Sequence, residues 1–187
     1  GGHDYHDIPN PGRHVGVLAS GDPLLSGIGG TLVRRLGPDA VRIVPAVSSV
    51  TLARARLGWT AEETDVLSAV GRDARKVLRA LAPGRRVLVL SSGADTPATL
   101  AALLTDHGFG DSALTVLENL GSAEERRLDG SARDWPHDDV APLNVVAITC
   151  AGAAYSLLAG LPDEAFDHDG QLTKRDLRAS ALARLAP

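Results

Sequence analysis

The chain of 187 residues contains a single cysteine, no methionine and only 3% aromatic residues. One cysteine excludes a disulfide within the chain and a cysteine-rich zinc site. No apolar run approaches the roughly 20 residues that a membrane-spanning helix needs, and no secretory signal is visible. The net charge of −4 gives no electrostatic reason to expect nucleic acid or an acidic membrane as a partner. We therefore expect a soluble, cytoplasmic protein.

The start of the chain favours a loop over the beginning of a domain. His3, Asp4, His6 and Asp7 offer metal ligands in principle, but a solvated loop is the better interpretation of such a cluster. Because the chain has no methionine, we expect the natural N-terminus to be missing.

Beyond this loop, apolar strand patterns alternate with helical ones, which predicts an α/β fold. In the first part we expect strands at residues 15–20 and 41–45 and helices at 27–36 and 49–56. A hydroxyl of Ser48 or Ser49 is placed to cap the second helix. Residues 57–60 break the pattern, so we expect a boundary between a lobe at 1–58 and a lobe at 59–150.

The second lobe continues the same alternation of strands and helices. We expect four strands and two helices there, the strands at 65–70, 85–91, 113–118 and 144–150 and the helices at 73–81 and 96–107. The polar stretch 121–142 predicts a hairpin or a loop over the sheet. Cys150 ends an apolar strand, where a buried, unreactive thiol is expected. A linker and a short helix at 173–185 follow.

Four small polar turns follow predicted strands, namely Ser20–Pro23, Pro45–Ser49, Ser91–Asp95 and Glu118–Gly121. In open α/β sheets the carboxyl ends of parallel strands meet at one edge, where ligands bind. Small side chains leave room for a ligand, and the turn backbone can hydrogen-bond it. Each turn alone is more often structural, but the four together favour a ligand cleft.

The familiar catalytic motifs are absent from the sequence. There is no phosphate-binding loop and no Gly-x-Ser-x-Gly elbow. Gly27–Gly30 is glycine-rich but lacks the complete dinucleotide fingerprint, which disfavours a nucleotide-dependent oxidoreductase. His137–Asp139 is either a metal or acid–base cluster or a solvated turn, and its charged surroundings favour the turn.

Several motifs, in order along the chain, resemble those of the tetrapyrrole (corrin/porphyrin) methyltransferase family. Residues 18–23 with 27–29 resemble the Gly-Asp-Pro segment of that family, and 44–49 and 57–59 resemble the loop and turn that follow it. Further segments are similar to the cobalamin-pathway branch, in the N-terminal module of the enzymes that methylate carbons 5 and 15 of a precorrin. These segments are 116–121, 135–139 and 142–146.

The resemblance implies a two-lobed fold with S-adenosylmethionine in the cleft between the lobes, and C-methylation of a precorrin macrocycle at carbon 5. By position, the methyl donor would be lined by Ser20, Gly21, Asp22, Leu25, Ser48, Ser49, Ser92 and Leu120. The resemblance also implies a homodimer and a second methyltransferase module, whose start would be residues 151–187. Nothing matches the first strand and glycine-rich loop of the family, so the N-terminal lobe is expected to be incomplete.

Some roles stay open at this point. Asp22 either accepts a hydrogen bond from the ligand or caps a helix beginning near Ser26, and the second role is favoured. No general base is identified. A polycarboxylate substrate needs cations, for which the candidates are Arg34, Arg35, Arg54, Arg56 and Arg72. A non-catalytic α/β module that docks a fused or partner methyltransferase domain is the alternative function.

Overall fold

The computed structural model describes residues 15–152, 163, 166 and 168–185. The contacts within the chain divide it into two compact units, Gly1–Gly58 and Trp59–Pro187. The histidines and aspartates of the first loop lie outside the described residues. None of the helices in the described part has the length and apolarity that a membrane span requires.

The described part of the first unit contains two α-helices and a short 3₁₀ helix, Pro38–Ala40. Helix α1 spans Ile28–Leu36 and ends at Gly37, whose φ of +87° suits a residue without Cβ. Helix α2 spans Ser49–Leu57 and begins where the Ser48 hydroxyl accepts the N–H of Thr51 at 3.1 Å. Both predicted helices and the predicted hydroxyl cap are confirmed.

The two strands predicted in the first unit are wrong. Residues 15–20 and 41–45 are irregular, and no strand pairs with them among the described residues. Most of their apolar side chains are exposed, Leu18 fully and Val44 by 71%, while Val41 and Ile43 are half-buried. A strand exists through its ladder of hydrogen bonds to a neighbour, so an apolar run without a partner stays irregular.

The second unit is built on a five-stranded sheet. Its strands are β1 (Thr64–Ser68), β2 (Arg86–Leu90), β3 (Ala113–Glu118), β4 (Arg126–Ser131) and β5 (Asn144–Thr149). Their order is β1-β2-β5-β3-β4, with β1 and β2 parallel and the other neighbours antiparallel. The four strands predicted here are confirmed. The stretch 121–142, for which a hairpin or a loop is expected, supplies one strand, β4, which forms a hairpin with β3.

Helix α3 (Thr96–Asp106) packs against one face of this sheet, and the side chains buried between them form the main core. Leu100 and Leu104 are fully buried in the same cluster as Val87, Val146 and Ile148. Removing such apolar surface from water is the main stabilising contribution in a domain of this size. Cys150 belongs to this cluster, and burial raises the pKa of its thiol, as expected for an unreactive cysteine.

Two further helices complete the described part of this unit. Residues Ala74–Ala80 form a 3₁₀ helix instead of the α-helix expected at 73–81, with the Asp73 carboxylate accepting the N–H of Arg75 at 2.9 Å. Seven residues is a long run for a 3₁₀ helix, whose hydrogen bonds have poorer geometry than those of an α-helix, and nothing in the local sequence explains the tighter winding. Helix α4 spans Arg175–Leu185, close to the predicted range.

Candidate functional site

The predicted donor-binding residues fall into two groups, one in each unit. In the first unit, the turn that contains Gly21 lies directly against the segment before α2. A Cβ on Gly21 would stand 3.4 Å from Ser48 Cα and 3.5 Å from the carbonyl oxygen of Val47. The structure therefore brings Ser20–Asp22 together with Ser48 and Ser49, two of the polar turns of the sequence.

The same turn is held against the start of α1. The N–H of Gly29 donates to the carbonyl of Pro23 at 2.9 Å, and a Cβ on Gly29 would lie only 2.7 Å from that oxygen. The glycine-rich stretch thus serves a close backbone approach, which explains it without a dinucleotide.

Asp22 does not cap α1, contrary to the favoured interpretation. Its Oδ1 accepts the N–H of Leu24 at 2.8 Å, two residues along, and the position before α1 is Gly27 without a side-chain cap. A carboxylate that accepts the backbone N–H two residues along is typical of an Asx turn. Asp22 therefore stabilises the turn, while Leu25 after it is 38% exposed.

The hydroxyl of Ser48 is already engaged. Ser48 is 7% exposed. Its hydroxyl oxygen accepts the N–H of Thr51 and lies 3.1 Å from the Thr51 hydroxyl. Its side chain therefore fixes the start of α2, and the neighbouring backbone and Ser49 remain for a ligand.

In the second unit, the C-terminal ends of β2 and β3 lie at the same edge of the sheet. Both strands are antiparallel to β5, which lies between them, so they run in the same direction. Leu90 pairs with Val145 and Glu118 with Asn144. The turns that carry Ser92 and Leu120 therefore flank the start of β5, and we call this edge the C-terminal rim.

Asn144 joins the two sides of the C-terminal rim. Its Oδ1 accepts the hydroxyl of Ser91 at 2.5 Å, and its Nδ2 donates to the carbonyls of Ala141 at 2.8 Å and Gly93 at 3.3 Å. Because Asn144 is buried, these bonds satisfy an amide that would otherwise destabilise the fold.

Glu118 is a buried carboxylate on the other side of Asn144, at 1% exposure. It pairs through both oxygens with Arg126, one Nη2–Oε1 distance being 3.1 Å, and it accepts the N–H of Ala141 at 2.7 Å. The Arg126 hydrogen bond lowers the pKa of Glu118 below its ordinary value of 4.5, against the opposing effect of burial. Arg126 also donates to the carbonyl of Asp139 at 2.6 Å. One ion pair thus fixes the end of β3, the start of β4 and the segment before β5.

His137 and Asp139 are held by protein contacts in this arrangement. His137 Nε2 lies 2.9 Å from the carbonyl of Asp129, and its ring meets Trp135 edge-on at 4.9 Å. No group of three or more potential metal-ligating side chains comes together in the described part of the chain.

Thr96 organises the turn that contains Ser92. Its hydroxyl oxygen accepts the N–H groups of Ser92 at 3.1 Å and Gly93 at 3.3 Å, and it lies 3.0 Å from the Ser92 hydroxyl. Those two backbone donors are consequently engaged, which leaves the exposed Ser92 side chain facing solvent. Sequence reasoning missed this role, although a threonine just before Pro97 at a helix start is a recognisable signal.

Replacing Thr96 with valine is expected to lower the free energy of unfolding by about 1–2 kcal/mol, because two backbone N–H groups lose their acceptor while the side-chain volume stays the same. Thr99→Val is the matched control, since Thr99 is exposed and only donates to the carbonyl of Asp95. Urea unfolding followed by circular dichroism measures both. Equal stability of the two variants would show that Thr96 does not hold the turn.

The sequence model of the family Tetrapyrrole (Corrin/Porphyrin) Methylases matches residues 10–136. The chain is 50% identical over 94% of its length to a precorrin-6Y C(5,15)-methyltransferase [decarboxylating] of Mycobacterium tuberculosis, and 48% identical over 96% to one from Sinorhizobium sp. It spans only 45% of the length of these relatives. A cobalt-precorrin-7 C(5)-methyltransferase of Salmonella typhimurium is 36% identical over 61% of this chain and 56% of its own length.

Solved structures show the same fold. A precorrin-6Y methylase of cobalamin biosynthesis from Archaeoglobus fulgidus superposes with a TM-score of 0.51 at 25% identity, covering 70% of this chain and 60% of its own. A uroporphyrin-III C-methyltransferase from Thermus thermophilus, crystallised with S-adenosyl homocysteine, has a TM-score of 0.53 at 23% identity. It covers 68% of this chain and 62% of its own length.

Proposed function

Because the chain belongs to the tetrapyrrole methylase family, we propose that it carries out S-adenosylmethionine-dependent C-methylation of a precorrin in cobalamin biosynthesis, at carbon 5 of the macrocycle. The observation that carries this proposal is the identity of about half the residues, along nearly the whole chain, with enzymes named for carbons 5 and 15. Carbon 5 is the position shared by those names and by the name of the Salmonella relative.

The residues assigned to the donor are Ser20, Gly21, Asp22, Leu25, Ser48 and Ser49 in the first unit and Ser92 and Leu120 in the second. They suit a nucleoside because the turn around Gly21 offers main chain and small side chains, with the exposed Leu25 as an apolar contact. At the C-terminal rim, Ser92 is an exposed residue whose hydroxyl lies 3.0 Å from that of Thr96 at a rigid helix start, and Leu120 adds a half-buried apolar surface. Asp22 and Ser48 contribute to donor binding indirectly, by stabilising the backbone of the turns that contain them.

When bound, the donor supplies an electrophilic methyl group on a sulfonium, so this chain has little bond-making chemistry of its own to perform. Its turns would orient the donor against a nucleophilic carbon and keep water out. Orientation of this kind is worth roughly 7–11 kcal/mol in well-aligned reactions. For the macrocycle carboxylates we assign Arg72, which follows the C-terminal end of β1 in the turn closed by its own N–H to the carbonyl of Ala69 at 3.1 Å. Because β1 is parallel to β2, the exposed Arg72 follows β1 at the same rim.

The proposal extends to the partners of the chain. Two methylations are named in the Mycobacterium and Sinorhizobium relatives, and the chain matches less than half of their length. We therefore assign residues 151–187 to a linker and the beginning of a second methyltransferase module that methylates another carbon. A cytoplasmic homodimer belongs to the same proposal, and light scattering of the purified protein tests the dimer.

The test is turnover by the natural full-length protein with methyl-¹³C-labelled S-adenosylmethionine, using precorrin-6Y and cobalt-precorrin-7 as separate acceptors. We expect mass spectrometry to show transfer of a labelled methyl group, and NMR to place the label at carbon 5. Disabling the first module with Gly21→Val should remove this label alone. Label at carbon 5 that survives this change would contradict the proposal. Absence of any thermal stabilisation of the protein by S-adenosyl homocysteine would instead favour the non-catalytic docking module.

A further inference from the structure

A groove of about 360 Å³ lies at the edge of the second unit opposite the C-terminal rim. It is bordered by β1, by the 3₁₀ helix Ala74–Ala80 and by Arg85, the residue that precedes β2. Arg85 and Ser92 stand at opposite ends of β2, and the rise per residue of a strand separates them by roughly 20 Å. The groove is therefore distinct from the residues proposed for the methyl donor in this unit.

The walls of the groove carry an excess of positive charge. Lys76, Arg79 and Arg85 line it, against the single carboxylate of Asp65. That carboxylate is already taken, because Arg85 Nη2 donates to Asp65 Oδ2 at 2.5 Å. Lys76 and Arg79 have no acidic partner among the residues that the structure describes. Two uncompensated positive charges thus face one concave surface, in a protein whose net charge is −4.

The 3₁₀ winding aligns these two cations. A 3₁₀ helix has three residues per turn, so side chains three positions apart project from the same face, one above the other. Lys76 and Arg79 have this spacing. Like charges held side by side repel each other, and an anion between them would remove that repulsion.

The floor of the groove is apolar. Val66, Leu67 and Ala80 contribute to its lining, and Leu67 and Ala80 also pack against the hydrophobic core. An apolar floor under a cationic wall suits a molecule with an anionic group attached to a small hydrocarbon body.

We propose that this groove binds a small organic anion of charge −2, whose oxyanion group lies between Lys76 and Arg79 and whose apolar part contacts Leu67 and Ala80, the two lining residues that also pack against the core. The oxyanion belongs to a phosphate ester or to a dicarboxylate, since both offer the acceptor oxygens that ammonium and guanidinium groups bind. Arg85, oriented by Asp65, closes the side of the groove nearest β2. The site is independent of methyl transfer.

The experiment titrates the ¹⁵N-labelled chain with inorganic phosphate and, separately, with succinate, at constant ionic strength set by sodium chloride. We expect saturable shifts of the amides around Val66, Lys76 and Arg79 with at least one probe, and the tighter probe identifies the oxyanion class. Lys76→Gln and Arg79→Gln should each weaken binding by roughly tenfold.

Arg75→Gln is the matched control, because Arg75 is an exposed cation on the same 3₁₀ helix but does not line the groove. It should leave the affinity unchanged. Shifts that do not saturate with either probe, or an equal loss of affinity in Arg75→Gln, would show only diffuse attraction to a basic surface and would overturn the proposal.

Discussion

Replacing Gly21 with valine is expected to abolish binding of S-adenosyl homocysteine to the first unit. Gly21 has φ +65°, a backbone conformation that a β-branched residue adopts only under strain, at a cost of roughly 1–3 kcal/mol. Its Cβ would meet Ser48 Cα at 3.4 Å, and the methyl groups beyond it would separate the two turns. The residues proposed for the donor in the first unit depend on that approach.

Two controls separate this strain from a general intolerance of larger side chains. Gly21→Asn should keep most of the affinity, because asparagine adopts the left-handed conformation more easily than other residues. Gly16→Val should have no effect, since nothing lies within 4 Å of the Cβ position there. Isothermal titration calorimetry compares the three variants. Unchanged affinity in Gly21→Val would remove this turn from the donor site.

The second large effect is expected from Glu118→Gln. The variant keeps the shape of the side chain but loses its charge, and it turns one acceptor into a donor that faces Arg126 or the N–H of Ala141. Hydrogen bonds to charged groups contribute about 1.5–3 kcal/mol each, so we expect the free energy of unfolding to fall by about that amount. Glu118 is linked through Ala141 to Asn144, which joins the two sides of the C-terminal rim. In the variant we therefore expect the turns that carry Leu120 and Ser92 to lose their fixed spacing, and donor affinity to fall as well.

Asp129→Asn is the matched control for this variant. Asp129 is also a carboxylate paired with an arginine, Arg127 at 2.8 Å, but it lies exposed on β4, so its loss should change stability by less than about 1 kcal/mol. Urea unfolding gives both values. An equally small loss of unfolding free energy in Glu118→Gln would show that burial of the Glu118 ion pair adds nothing to stability.

The pH dependence of this contribution has a definite sign. The pKa of Glu118 is lower in the fold than in the unfolded chain, so its stabilising effect is complete above the ordinary value of 4.5. It is lost as the pH falls through the folded pKa. The stability difference between the wild type and Glu118→Gln should therefore be constant near neutral pH and shrink below about 4.5. A difference that grows on acidification would contradict the assignment of the ion pair.

Much of the second unit could be predicted because its central strands β2 and β5 are apolar on both faces. Val87, Leu88 and Val89 are all buried, so an uninterrupted apolar run there fixes the strand without knowledge of its neighbours. The same reasoning failed at residues 15–20 and 41–45, where the apolar pattern is equally clear. What differs is the pairing partner, which no local pattern specifies.

The polar network of the C-terminal rim could not be predicted from the sequence either. The sequence predicts a turn of small polar residues from Glu118 onwards, whereas in the structure Glu118 ends β3 as a buried carboxylate. Its partner Arg126 is only eight positions away, but Ala141 becomes a neighbour through the β3–β4 hairpin and the return to β5. Asp22 shows the reverse case. A helix cap and an Asx turn need the same residue type, and only the backbone distinguishes them.

Titration of the ¹⁵N-labelled chain with S-adenosyl homocysteine tests the donor assignment most directly. We expect the amide signals of four proposed donor residues to shift together and to saturate at one common ligand concentration, namely those of Gly21, Ser49, Ser92 and Leu120. Shifts confined to one unit, or signals that never saturate, would contradict a donor site formed by these residues.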